Sequence, residues 1–171
     1  TLGDQAFVLR DRLNLLARNG LTGFVLVFII LTLFLRFSLA FWVSLGIPVS
    51  FLGAMWLLPS FGVSVNMMSL FAFIVVLGIL VDDAIIVGEN IYTHQQRHGD
   101  RRRGAIEGTR EVATPVIVAV LTTVAAFAPL LLIPGVMGKM MVVIPLVVMP
   151  CLVFSLIESQ LILPAHLSHG K

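Results

Sequence analysis

Charge is what this sequence has least of. Only 12% of its 171 residues are Asp, Glu, Lys or Arg, against about 25% in an ordinary soluble domain. The deficit falls in long blocks: no charged residue stands between Arg36 and Asp82. Cysteine is nearly absent as well. Cys151 is the single one, so an internal disulfide is excluded, it matches no metal motif, and it reads as an inert buried or lipid-facing thiol. The chain also begins without methionine, and its first segment lacks a continuous apolar core. The first segment is therefore not expected to be a signal peptide, and the sequence is expected to start partway into a larger protein. A net charge of +2 gives no reason to expect a nucleic-acid partner, although the pI is near 9.2. The arginines cluster beside apolar runs, as membrane topology requires.

What is present is apolar. Hydrophobic residues make up 58% of the chain, and the mean hydropathy is +1.05. Several apolar runs approach or exceed the ~20 residues that cross a bilayer. The spacing predicts an all-α polytopic membrane protein with five spans, near 21–35, 39–58, 64–91, 112–133 and 140–163. Gly46, Pro48, Pro115, Pro129, Pro145 and Pro150 fall inside these runs, which transmembrane helices tolerate. Residues 1–20 read as an amphipathic lead-in, with Leu9, Leu13, Leu16 and Ala17 recurring near helical spacing. Residues 21–165 form the bundle and 166–171 a tail.

The one sizeable polar stretch is the expected loop 93–111, with Arg97, Arg101, Arg102, Arg103 and Arg110. Its arginines assign it to the cytoplasm. Alternation then puts the N-terminus outside and the C-terminus inside, with seven Lys and Arg inside and four outside.

Against this background Asp82 and Asp83 stand side by side in an apolar run. A carboxylate near mid-membrane costs a few kcal/mol and, where found, faces a protein interior or a watery cavity, commonly in proton relays. The bland alternative ends the third span at Leu80 and leaves the pair capping it in water, but the following residues stay mostly apolar for two further turns. At ~100° per residue, Asp82 shares a stripe with Val75, Gly78 and Glu89, and Asp83 with Val76, Ile79 and Asn90. Gly78, one turn before Asp82, is expected to admit a close helix neighbour. Glu89 and Asn90 are accessory candidates, with Glu89 read first as a solvated helix-end carboxylate. Glu158 is expected at the interface in a structural role. Thr122 and Thr123 are expected to bond back to their own helix. His94, His98, His166 and His169 are read as lying in polar flanks without metal spacing, so no metal site is expected. An intramembrane aspartyl protease would need carboxylates opposed across a cleft; adjacent ones on one helix diverge by ~100°.

The stretch "GILVDDAIIVGENIY" resembles the resistance–nodulation–division (RND) efflux transporters, and the likeness runs along nearly the whole chain. The resemblance implies helices two to six of the N-terminal half, within a larger two-halved transporter of the bacterial inner membrane. It implies that Asp82 and Asp83 take up and release protons, that protons are the coupling ion, and that no cofactor is needed. It further implies a homotrimer and a tripartite efflux assembly for the parent, whose remaining helices and periplasmic domains would be partners beside the lipid bilayer. The chain by itself is expected to be inactive and not an enzyme. The other expectation kept open is a non-efflux relative of the superfamily, of the protein-export or sterol-sensing type.

Overall fold

A computed structural model describes residues 2–169, with side chains described from Arg10 onward except at Arg12, Leu13, Leu16 and Phe34. The expected amphipathic contacts of Leu9, Leu13 and Leu16, and the tail's Gly170 and Lys171, lie outside the described residues. The described chain is helical. The helices are α1 (Leu2–Phe34), α2 (Phe37–Leu57), α3 (Met67–His98), α4 (Arg101–Phe127), α5 (Gly135–Met141), α6 (Val143–Ile157) and α7 (Leu163–His169). Single 3₁₀ turns extend α2 and α4, and a π-helical segment, Glu158–Ile162, joins α6 to α7.

Four stretches are long and apolar enough to cross a membrane: Phe37–Phe61, Met67–His98, Arg101–Leu132 and Gly135–His169. The first expected span, 21–35, corresponds to the shorter apolar stretch Ala17–Leu33. It is continuous with the preceding segment as part of α1. The chain is a multi-pass membrane protein.

The expected loop 93–111 is not a loop. α3 runs on to His98, Gly99 turns the chain at φ 66°, and α4 begins at Arg101. The stretch is polar, yet Gln, Arg and Glu are good helix formers, and only Gly99 and Asp100 interrupt them. Gly99 supplies the left-handed residue that ends α3, and the Asp100 carboxylate accepts the Arg102 N–H at 3.0 Å to start α4. At the other end of α3, Asn66 and Ser69 form a reciprocal cap, with bonds of 2.7 to 3.0 Å.

α3 is the central helix, packed against α4, α6 and α2. Its buried face carries Phe73, Val76, Leu80, Asp83, Ala84, Val87, Gly88 and Ile91. Two apolar clusters meet along it: Phe73, Val76 and Leu80 with α6, and Val81, Ala84, Val87 and Ile91 with α2 and α4. α1 contacts chiefly α2. It leaves Leu21, Leu26, Ile29, Ile30 and Leu33 exposed, and Leu121, Leu132 and Leu161 elsewhere are exposed too. Such faces are stable in lipid or against further helices.

Candidate functional site

Asp82 and Asp83 sit at the midpoint of the 32-residue α3. A helix of that length rises about 48 Å, more than the ~30 Å hydrocarbon core, so its polar ends can project while the pair stays deep. The helix runs four turns beyond the pair, so the pair does not cap a helix end. The two carboxylates have opposite surroundings. Asp83 is 7% exposed, where the two apolar clusters meet. Asp82 is exposed, on the stripe of Ile74, Gly78, Ile86 and Glu89. Among the described residues neither makes an ion pair or a hydrogen bond.

The close approach expected at Gly78 is made by none of the described residues: nothing lies within 4 Å of a Cβ built there. Close approaches occur instead at Gly104 and Gly108, where a Cβ would stand 2.5 Å from the Gln95 backbone nitrogen and 2.6 Å from the Ile91 Cα. The spacing "GAIEG" is the small-xxx-small pattern that lets two helix backbones meet, and it was legible in the sequence. Asn90 belongs to this junction. Its amide donates to the Gly108 carbonyl at 2.7 Å and to Glu111 at 3.0 Å, tying α3 to α4. Glu89 is exposed.

Glu158 differs from its expected interfacial position. It is 5% exposed, in the π-helical segment, with its carboxyl group against the backbone of Gly46 on α2. Ser155 and Ser159 beside it are buried too. A π-helical insertion is uncommon and frequent at functional sites. Thr122 and Thr123 bond back to the Val118 and Ala119 carbonyls as expected, at 2.8 and 3.0 Å. Cys151 is fully buried.

The histidines of the polar flank are not scattered. Because α3 continues to His98, His94 and His98 lie one turn apart on one face, with rings stacked at 5.8 Å. They meet Glu111 and Glu107 of α4, at 2.5 and 2.9 Å from imidazole Nε2 to carboxylate Oε2. Arg103 holds the other Glu107 oxygen at 2.8 Å. Nearby, a cavity of about 300 Å³ is lined by Arg36, Trp42, Tyr92, Gln95 and His166. The Arg36 guanidinium lies 4.5 Å over the Tyr92 ring there.

The AcrB/AcrD/AcrF family profile matches residues 1–169. Multidrug resistance protein MdtC of Escherichia coli O139:H28 is 33% identical over 162 residues, 94% of this chain and 16% of MdtC. Swarming motility protein SwrC of Bacillus subtilis is 30% identical over 165 residues, with the same two coverages, 94% and 16%. An uncharacterized transporter of Haemophilus influenzae is 44% identical over 96 residues, 56% of this chain and 9% of that protein. The chain thus spans between 9% and 16% of the length of these relatives. The profile match over nearly every residue, on a set of apolar helices around one that carries paired aspartates, means that the chain belongs to the AcrB/AcrD/AcrF family of RND transporters.

Proposed function

We propose that the chain is the transmembrane portion of a proton-driven efflux transporter, in which Asp82 and Asp83 take up and release protons. The observation that carries this reading is a pair of carboxylates at mid-helix, without a basic partner among the described residues. An ionised carboxylate at that depth requires a cation or water. The exposed stripe of Gly78 and Asp82 leaves room for a further helix of the parent protein to bring one. Protonation would remove the attraction, and a packing with two arrangements would shift toward the one that tolerates the neutral acid. Inward proton flow would in this way drive outward movement of substrate. The chain is a transporter part and not an enzyme.

The working protein is a homotrimer in the bacterial inner membrane, joined to a tripartite assembly, and the chain alone does not pump. Small organic compounds are the substrates that the likeness to MdtC favours. The test is substrate export driven by an imposed pH gradient, with the full-length protein reconstituted in vesicles. Asp82→Asn and Asp83→Asn nearly preserve shape and remove a titrating site, so each should insert normally and lose coupled export. Wild-type pumping by both variants would make the pair structural.

A further inference from the structure

We propose that His94, His98 and Glu107, supported by Glu111, form a binding site for one first-row divalent transition-metal ion that clamps α3 to α4. The site is built by two helices meeting in antiparallel fashion across the Gly99–Asp100 turn. One supplies two imidazoles one turn apart, and the other supplies two carboxylates one turn apart. One ligand atom from each of His94, His98 and Glu107 lies within 4.8 Å of the other two. Zinc holds such atoms at 2.0–2.2 Å, which places tetrahedral ligands about 3.4 Å from one another. Side-chain rotation at these partly exposed residues closes the difference without moving the backbone, which the Gly104 and Gly108 contacts already hold together.

The donor set selects the class of ion. Two imidazoles and a carboxylate suit zinc and its neighbours, whereas calcium and magnesium take oxygen ligands. Glu107 engages Arg103 through Oε1 and keeps Oε2 toward His98. Glu111 is steadied by Asn90 and lies against His94 Nε2, where it can complete the coordination or orient the ring. His94 Nδ1 is buried with no hydrogen-bond partner among the described residues. A buried imidazole nitrogen ordinarily has a partner, and a metal ion is one partner that an imidazole nitrogen takes. The ion would fasten the end of the helix that carries Asp82 and Asp83, but the proposal does not depend on proton coupling.

The test uses full-length protein in detergent, free of any polyhistidine tag and stripped with a chelator. Zn²⁺ is titrated against a chromophoric indicator and Co²⁺ is followed by its visible absorption. One ion should bind per chain at this site, and Zn²⁺ should raise the melting temperature. His98→Gln and Glu107→Gln should each weaken binding at least tenfold and abolish the thermal shift, and Glu111→Gln should weaken it about tenfold. His166→Gln and His169→Gln should change neither readout. Circular dichroism checks that the variants are folded. No binding by the wild type at micromolar Zn²⁺, or undiminished binding by the His94→Gln/His98→Gln double variant, would overturn the site and leave two plain His–Glu contacts.

Discussion

The carboxyl group of Glu158 lies against the backbone of Gly46, so that a Cβ at Gly46 would stand 2.4 Å from its Cδ and 2.5 Å from both oxygens. A π-helical segment and α2 are thereby fitted to one another at a buried acid. Gly46→Ala should cost about 1 kcal/mol or less, because the Glu158 carboxyl is the far end of a flexible side chain that can swing aside and Ala favours the helix over Gly. Glu158→Ala removes the obstruction. The double variant should therefore lose less than the sum of the two singles, with a coupling of up to about 1 kcal/mol in thermal melts of the full-length protein. Strict additivity would mean that the two residues do not touch.

Glycines on the two sides of α3 should behave differently. A Cβ at Gly108 meets the backbone of α3 at 2.6 Å, and backbone yields less readily than a side chain. Gly108→Ala should force α3 and α4 apart and cost about 1–3 kcal/mol. Among the described residues nothing approaches Gly78 within 4 Å of a Cβ built there. If its stripe receives a helix from the rest of the protein, Gly78→Leu should leave insertion intact but depress transport. A fully active Gly78→Leu variant would show that no helix docks there.

Much of this arrangement could be read from residues, and the exceptions have physical causes. The spans follow from hydropathy, and the mid-helix position of Asp82 and Asp83 follows from the apolar turns after them. Hydropathy does not rank the faces of a helix that is apolar all round, so the separation of Asp82 from Asp83 became visible only once the neighbours of α3 were in place. The stretch 93–111 differs from the expected loop because polarity alone does not separate loop from exposed helix, and its residues favour helix. With the helix ends went the one-turn spacing of His94 and His98. Glu158 neighbours serines and glutamine, a composition shared by helix ends and buried polar contacts, so its burial is not legible in the sequence.

The topology makes a separate claim. Cysteines introduced into a cysteine-free background at Ser60 and Arg102, both exposed, should be labelled from opposite sides of the membrane, with Arg102 in the cytoplasm. These positions avoid Gly62 and Gly99, whose φ of 67° and 66° would strain any other residue. Labelling of both from one side would overturn the alternation of the spans.

The unequal surroundings of the aspartates lead to unequal stability effects even though both substitutions should stop transport. Asp83 has no partner among the described residues and is enclosed by apolar side chains. Asp83→Asn exchanges an unpaired buried acid for a neutral group of the same shape, so the melting temperature of the full-length protein should hold or rise. Asp82 is exposed on the stripe of Gly78. If a basic residue of the remaining helices pairs with it, Asp82→Asn strands that cation in a low-dielectric setting and should cost about 3 kcal/mol. A neutral spacer would give no such penalty. Melting both variants beside the wild type at neutral pH separates the cases. A loss at Asp82 without one at Asp83 supports a charge contact across the α3 stripe, whereas equal shifts would remove the distinction between an inward and an outward carboxylate.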